Sequence, residues 1–188
     1  MRFPSPLETL RDIFASQGVE AYLVGGTVRD LMLGRVTGDI DVAVADDAGS
    51  VGHRLASSLS GHLVPLDEVR GIWRVVSPDG ESVWSVDVSS IDGTILEDLG
   101  RRDFTIDAMA ASFADADAEC LGTKVIDPFG GCEDLAAGGI RSGRPSVFRD
   151  APARLLCAPR LAAQLRMEIA EATSEQIRRD AHLVTTIA

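Results

Sequence analysis

The stretch Val24–Val44, VGGTVRDLMLGRVTGDIDVAV, decides the fold and contains most of the candidate chemistry. The residues from Tyr22 onward favour a strand, which ends at Gly25 and Gly26. Two glycines allow a tight turn in which backbone N–H groups can closely approach an anion. Thr27–Leu33 then has the apolar spacing of a short helix, so the start of this helix points at whatever lies beside Gly26.

Asp39 and Asp41 lie in the second half of this stretch, on a run typical of a strand. Because residues two apart in a strand face the same side, both carboxylates should project together while Ile40 and Val42 enter the core. Two carboxylates this close repel each other unless a cation neutralises them, and Mg²⁺ is bound by one or two carboxylates together with substrate phosphates. A glycine turn with Arg29 for a polyphosphate, followed by an Asp-x-Asp pair for metal, is the layout of nucleotidyl transfer.

Each half of this pattern also has a simpler interpretation. A Gly-Gly pair alone is most often an ordinary turn, and an Asp-x-Asp pair alone is most often the polar face of an edge strand. The two halves in this order and at this spacing favour nucleotidyl transfer over two unrelated features.

The composition indicates a globular protein of one domain, or of one domain with the start of another. It has 188 residues, of which 45% are hydrophobic and 25% charged. No apolar run is long enough to span a membrane and the first residues lack a signal-peptide pattern, which predicts a cytoplasmic protein. The cysteines Cys120, Cys132 and Cys157 form no CxxC pair, which argues against a disulfide framework and a structural zinc site.

The charge balance of 18 basic against 29 acidic residues gives a net charge of −11. This sign is wrong for a dedicated nucleic-acid-binding surface. If the protein handles RNA, its basic surface is expected to be local, or to lie in chain that is not present here. The sequence gives no indication of an oligomeric state.

Beyond the central stretch, the sequence predicts an α+β fold. Antiparallel strands that follow a helix favour a small α+β sheet over a doubly wound parallel sheet. The predicted elements are helices over 6–17 and 46–60 and strands over 63–66, 72–76 and 83–88, with helical sequence from 144 onward. The part of the chain that forms the sheet is therefore expected to end near Gly143.

Three further polar residues are candidates for the same site. Asp87 is bracketed by valines in the last predicted strand and would join Asp39 and Asp41 if the strands are neighbours. An aspartate on a half-exposed strand surface is the competing interpretation. Arg102 can bind phosphate through a bidentate fork, and Asp103 can hold that arginine or a ribose hydroxyl. The string Arg-Arg-Asp is also common on protein surfaces.

Five separated strings, in order, carry a resemblance to a known family. They are GGTVRDLMLG (25–34), DIDVAV (39–44), RRDFTIDAMA (101–110), DPFGGCEDL (127–135) and FRDAPARLL (148–156). Together they resemble the class II tRNA nucleotidyltransferases and bacterial poly(A) polymerases, members of the DNA polymerase beta-like nucleotidyltransferase superfamily. The resemblance runs from about Ala21 to Leu165.

The resemblance implies a catalytic head with a mixed five-stranded sheet over residues 1–143, followed by the start of a helical neck over 144–188. It implies transfer of a nucleotide from ATP, with CTP as a second candidate, to the 3′-hydroxyl of a tRNA or another RNA by a two-metal mechanism. It assigns Asp39 and Asp41 to the Mg²⁺ ions and Asp87 to the third carboxylate of the superfamily. It assigns nucleotide binding to Gly25, Gly26, Arg29, Arg102, Asp103, Arg154 and Arg160.

The sequence departs from the family pattern where the predicted neck begins. The family has an acid-Asp-Pro-x-Arg string there, whose second acid and first arginine select the incoming base. Ala151 replaces that acid and Cys157 replaces the next arginine, Pro159 is expected to break or kink the helix, and Asp107 stands where the family usually has Asn. We therefore predict weak base discrimination, or restriction to one base, because hydrogen bonds built into a site are what reject wrong substrates.

Members of the family normally continue into helical body and tail domains that hold the RNA. The resemblance therefore leads us to expect a fragment, or a divergent head-and-neck protein whose RNA-binding half is missing or supplied by a partner. Two other functions stay open. A nucleotidyltransferase acting on a non-RNA acceptor would fit the acidic charge, and a degenerate or truncated nucleotide-binding module without full activity would fit the departures in the neck.

Overall fold

The computed structural model describes residues 6–35, 38–79, 82–114 and 124–187. The chain forms two compact units, and each draws on two separate parts of the sequence. The first unit comprises the residues up to Ile95 together with Ala110–Ile126. The second comprises Leu96–Met109 together with the residues from Asp127 onward.

A six-stranded mixed sheet forms the centre of the first unit. Its strands are β1 (Ala21–Val24), β2 (Asp39–Val44), β3 (His62–Asp67), β4 (Ile72–Asp79), β5 (Ser82–Ser90) and β6 (Ala110–Ser112). Their order across the sheet is β3-β4-β5-β2-β1-β6, in which β2 and β5 run parallel and the other neighbours antiparallel. The expected α+β fold with a mixed sheet is confirmed, but the expected number of five strands is wrong because the short β6 pairs beside β1.

The helices α1 (Pro6–Gln17), α2 (Gly25–Met32) and α3 (Ala48–Ser58) belong to the same unit. Each buries part of the apolar face that its sequence predicts, and in α2 that part is Val28, since Leu31 and Met32 are only half-buried. The buried residues include Leu10, Phe14, Val28, Val51 and Leu55. Complete burial of such a side chain contributes about 1.5–3 kcal/mol. In β2 Ile40 and Val42 are buried, as are Ala43 and Val44 at its end, and a register shift of one residue would turn Asp39 and Asp41 toward the core.

The second unit is mainly helical. Its elements are α4 (Ile95–Gly100), which enters the unit at Leu96, a 3-10 helix (Thr105–Asp107), α5 (Gly131–Ala137), β7 (Gly139–Ile140), α6 (Val147–Asp150), α7 (Arg154–Leu165), β8 (Glu168–Ile169), α8 (Glu171–Asp180) and a second 3-10 helix (Ala181–Thr186). The short strands β7 and β8 pair in parallel. Phe104 and Phe148 are fully buried, with ring centroids 6.5 Å apart, and form part of the core of this unit.

Pro159 was expected to break or kink its helix, and the structure shows that it does not break it. Helix α7 runs from Arg154 to Leu165 through Pro159. A proline inside a helix removes one backbone hydrogen bond and costs about 3 kcal/mol. The residues Leu155, Leu161 and Leu165 of α7 are nevertheless buried, and this tertiary packing offsets the local penalty.

Asp180 fixes the end of α8. Its buried carboxylate accepts hydrogen bonds from Arg179 at 2.6 Å and from Arg149 of α6 at 3.1 Å. These two hydrogen bonds lower the pKa of Asp180 to about 2, and the bond from Arg179 makes the largest contribution. The charged carboxylate therefore ties α6 to α8.

We expect Asp180→Asn to lower the free energy of unfolding by about 2 kcal/mol at neutral pH, the usual contribution of hydrogen bonds to a charged group. The folded pKa lies below the unfolded value of about 3.9, so the stabilisation is complete above about pH 5 and is lost as the pH falls toward the folded value. Urea denaturation should therefore show a wild-type-to-variant difference that shrinks between about pH 5 and pH 2. Asp12→Asn, at a carboxylate that is 73% exposed, is the control and should change stability little. A difference that stays constant over this range would contradict the assignment.

None of the helices in the described ranges is long and apolar enough to cross a membrane.

Cys132 and Cys157 are free thiols. Burial, assisted by Asp127, raises the pKa of the Cys132 thiol to about 11, so this cysteine stays protonated at neutral pH. Cys120 lies outside the described residues.

Candidate active site

The acidic pair lies on one face of β2. Asp39 and Asp41 alternate with the buried Ile40, and both are more exposed than it. The parallel pairing with β5 sets Asp39 beside Ser85 and Asp41 beside Asp87. The Ser85 hydroxyl donates a hydrogen bond to Asp39 Oδ1 at 2.5 Å. The register therefore gathers three carboxylates and a hydroxyl on one face of two adjacent strands.

The glycine turn lies next to Asp41. Gly25 has a φ of +63°, a left-handed conformation that glycine adopts without strain, and α2 begins at this residue. A Cβ atom built on Gly26 would lie 3.2 Å from Arg29 Nη2 and 3.6 Å from Asp41 Oδ2. Glycine at position 26 therefore keeps open the space between a guanidinium and a carboxylate, where an anion can approach the backbone.

Two residues of α2 hold this turn in place. Arg29 is only 6% exposed, and its Nε forms an ion pair with Asp30 at 2.9 Å. Thr27 is also buried, and its hydroxyl accepts a hydrogen bond from the Asp41 N–H at 2.7 Å and lies 3.5 Å from the Asp39 carbonyl oxygen. Helix α2 is therefore attached to β2 at the level of the acidic pair. Sequence patterns did not indicate Thr27, because its partners are distant along the chain.

Asp87 is bound by a residue that sequence patterns also did not indicate. Arg74 on β4 lies opposite Asp87 in the antiparallel register, and its Nε and Nη2 donate to the two carboxylate oxygens at 2.6 Å and 2.7 Å. The pKa of Arg74 is raised, first by its hydrogen bonds to Asp87 and further by the charges of Asp87, Asp39 and Asp41. Arg74 therefore offsets part of the negative charge on this face.

The residues of this face fit a divalent cation held by Asp39 and Asp41. Within the described part of the chain, no three His, Cys, Asp or Glu side chains are grouped so that they could hold a metal ion by themselves. A hard ion such as Mg²⁺ needs only one or two carboxylates when water and substrate phosphates complete its coordination. Asp87 is bound by Arg74 through both of its oxygens, so Asp39 and Asp41 are the carboxylates of this face that best fit the ion, and their role as its ligands stays a prediction.

Arg102 and Asp103 lie in the second unit. Arg102 forms an ion pair with Asp98 at 3.2 Å, and its buried Nε has no hydrogen-bond partner among the described residues. A buried donor without a partner costs about 1–3 kcal/mol and calls for an explanation, of which a ligand is one. Asp103 is half-buried beside it.

Arg154 and Arg160 lie on α7 in different surroundings. The Arg154 guanidinium donates to the carbonyl oxygens of Arg101 at 3.0 Å and of Val147 at 3.4 Å, which tethers α7 to the turn that precedes Arg102. Arg160 is exposed to solvent. The part of these residues in nucleotide binding stays a prediction.

A mixed sheet that carries an Asp-x-Asp pair beside a glycine turn and its helix defines the class as a nucleotidyltransferase head. The chain belongs to the family described as the poly(A) polymerase head domain, which matches residues 21–141. The resemblance found in the five sequence strings is confirmed.

Several known proteins are similar to almost the whole chain. The CC-adding tRNA nucleotidyltransferase of Geobacter sulfurreducens is 39% identical over 186 residues, covering 98% of this chain and 41% of that protein. Poly(A) polymerase I of Salmonella typhimurium is 38% identical over 191 residues, covering 90% of this chain and 39% of that protein. A solved structure described as a CCA-adding enzyme with CTP has a TM-score of 0.81 and 31% identity, covering 96% of this chain and 44% of the other. The chain therefore spans about two fifths of the length of the relatives it matches.

Proposed function

We propose that this chain is the catalytic part of an RNA 3′-end nucleotidyltransferase, which transfers a nucleoside monophosphate from ATP or CTP to the 3′-hydroxyl of a tRNA or another RNA. The observation that carries the proposal is the position of Asp39 and Asp41 on one face of β2, next to the turn of Gly26 and Arg29. The names of the relatives, a tRNA nucleotidyltransferase and a poly(A) polymerase, support the same reaction.

Asp39 and Asp41 would hold the divalent cation, and we assign it as Mg²⁺ because this ion prefers carboxylate and phosphate oxygens. When bound, the ion lowers the pKa of the attacking hydroxyl and neutralises charge on the phosphates. Ser85 restrains the Asp39 carboxylate, and Thr27 restrains the backbone at Asp41. The two ligands are therefore oriented before the substrate binds, which lowers the entropy lost on binding.

The triphosphate is bound by the turn and the first residues of α2. Gly25 and Gly26 present backbone N–H groups, and Arg29 presents a guanidinium whose orientation is fixed by Asp30. Nucleotide binding by Arg102, Asp103, Arg154 and Arg160 stays a prediction. The division into a head over 1–143 and a neck over 144–188, and a cytoplasmic location, also stay predictions.

Primer extension tests the proposed function. The wild-type chain, incubated with Mg²⁺, ATP or CTP and a 5′-labelled tRNA transcript that lacks its 3′-terminal CCA, should lengthen the RNA and release pyrophosphate. Chelation of the cation should stop both. The proposal is wrong if none of the four nucleotides is added to this transcript or to a short single-stranded RNA, or if addition continues without a divalent cation.

We expect the four nucleotides to be discriminated weakly, or one base alone to be accepted. Ala151 offers no hydrogen bond to a base edge, and loss of such a bond relaxes selection by about 1–3 kcal/mol. Ala151→Asp should raise the ratio of kcat/KM between the best and second-best nucleotide by about tenfold. Ala163→Asp, at an exposed position of α7, is the control and should leave the ratio unchanged. Faithful addition of C, C and A by the wild type would contradict the expectation.

Specific features favour two other candidates. The net charge of −11 favours a nucleotidyltransferase with a non-RNA acceptor, and Ala151 and Cys157 favour a nucleotide-binding module without turnover. Assays with labelled ATP and Mg²⁺, with and without RNA, distinguish these two functions from the RNA 3′-end nucleotidyltransferase. Extension of the RNA supports our proposal, transfer of the label to a component of an added cell extract instead of the RNA supports the non-RNA acceptor, and binding without turnover supports the module.

A further inference from the structure

The acidic face is the face of β2 and β5 that carries Asp39, Asp41 and Asp87. The glycine turn lies along one side of this face. Strand β2 lies between β1 and β5 in the sheet. Gly26 lies two residues after the end of β1, and the open space at Gly26 is bordered by Arg29 and Asp41. In the proposed reaction, the triphosphate therefore approaches Asp41 from the side of β1 and α2.

The other side of the face is formed by β5 and β4. Across these strands the register produces two rows, Asp41–Asp87–Arg74 and Asp39–Ser85–Val76. An open concavity of about 380 Å³ lies here, lined by Gly38, Asp39, Arg74, Val76, Trp84 and Ser85. It therefore begins at one member of the acidic pair and extends away from the glycine turn.

The geometry of in-line phosphoryl transfer indicates which substrate binds on the side of β5 and β4. The attacking oxygen and the leaving oxygen lie on opposite sides of the transferred phosphorus. If the leaving pyrophosphate lies toward β1 and α2, the attacking 3′-hydroxyl has to arrive from β5 and β4. We propose that Arg74, at the concavity beside Asp39, binds the phosphodiester of the 3′-terminal nucleotide of the RNA acceptor. This assignment rests on the proposed function.

The surroundings of Arg74 suit a phosphate ligand. Its bonds to Asp87 use two of the five N–H donors of a guanidinium, and its side chain is 34% exposed, so other donors can bind a phosphate oxygen. The fork to Asp87 fixes the plane of the guanidinium before the RNA arrives.

Charge supports the same assignment. Of the residues that line the concavity in the described part of the chain, Arg74 is the basic one, and it lies close to the carboxylates of Asp39 and Asp87. An RNA phosphate near these acids would be repelled without a cation between them. With a net charge of −11 on the whole chain, a local cation at this point is what lets the acceptor end approach. Asp87 then acts as a positioning residue for Arg74.

Arg74→Met removes the phosphate contact, and Arg74→Lys keeps the charge without the fork. Arg54→Met is the matched control, because Arg54 also pairs with one aspartate, Asp46, and its side chain is 43% exposed. Two probes are used with each protein: a fluorescent single-stranded RNA with a 3′-hydroxyl, and a tRNA transcript that lacks CCA. Binding of each probe is measured by anisotropy over a range of salt, and ATP binding with Mg²⁺ is measured without RNA. Circular dichroism verifies that each variant is folded.

For Arg74→Met we expect RNA affinity to fall about tenfold or more, while ATP affinity stays within about twofold of wild type. The slope of log K against log salt should become shallower by about 0.7, the value for one phosphate of a single strand. Arg74→Lys should bind RNA at intermediate strength with the wild-type slope, and Arg54→Met should behave as wild type. If Arg74→Met does not fold, Arg74→Lys is used in its place. Its RNA affinity is then expected to fall while its ATP affinity stays unchanged.

Three results would overturn the assignment: unchanged RNA affinity in Arg74→Met, a parallel loss of ATP affinity, or a wild-type chain that binds neither RNA. Failure of the proposed function looks different. A wild-type chain that adds no nucleotide to RNA, while Arg74→Met still lowers RNA affinity with a shallower salt slope, would contradict the proposed reaction and leave the acceptor subsite supported.

Discussion

Asp41→Ala is expected to lower nucleotide incorporation by about 10³-fold or more, because it removes one of the two carboxylates that we propose as ligands of the cation. The fold should not change, since the bond that Thr27 accepts from residue 41 comes from the backbone N–H. The measurements are single-turnover extension of an RNA primer and thermal unfolding.

A second measurement separates loss of the cation site from general damage. Mg²⁺ with ATP should raise the unfolding temperature of the wild type, because a ligand that binds the folded state stabilises it, and this rise should be lost in Asp41→Ala. Asp46→Ala, at an exposed carboxylate just beyond the end of β2, is the control and should keep both properties. Turnover at the wild-type rate in Asp41→Ala would show that the metal assignment is wrong.

Gly131→Ala is expected to lower the free energy of unfolding by about 3 kcal/mol. A Cβ atom on Gly131 would lie far inside contact distance of the Thr105 carbonyl oxygen, and 3.0 Å from Met109 Cγ. Because the first of these neighbours is backbone, it cannot move away as a flexible side chain would. The Gly131 N–H also donates to Asp127 Oδ1 at 2.7 Å, so a shift of α5 to relieve the contact would weaken this bond. Urea denaturation measures the loss.

Gly139→Ala provides the matched control. Among the described residues, a Cβ atom at Gly139 would come within 4 Å of the Asp134 carbonyl oxygen alone, at the ordinary distance of 3.7 Å. The variant should therefore unfold within about 0.5 kcal/mol of wild type. Equal stability of the two variants would show that the close approach of α5 to Thr105 is not needed for folding.

Short-range patterns predicted the elements that carry the acidic pair. The alternation in Asp39–Val44 predicted both the strand and the side on which the carboxylates lie, because a strand has a fixed period of two. The Gly25-Gly26 pair predicted the turn, and the positive φ of Gly25 is its physical reason. The resemblance predicted the family, and the match to residues 21–141 confirms it.

Long-range pairing explains what sequence patterns missed. Arg74 meets Asp87 because of the register between β4 and β5, and no local signal on β4 indicates that register. Arg154 contacts the carbonyl oxygen of Arg101, which is far away along the chain. Strand β6 has only three residues, too few to show an alternating pattern. The helix that continues through Pro159 depends on tertiary packing, which local propensity does not include.

The interleaved origin of the two units limits how such proteins can exchange parts by recombination. The second unit takes Leu96–Met109 from within the stretch that otherwise builds the first, so a single crossover point cannot transfer either unit intact. A junction at residue 143 would also separate Ile140 from its β-partner Ile169. Hybrids between relatives are therefore expected to keep both units whole only when the inserted segment and the C-terminal segment come from the same parent.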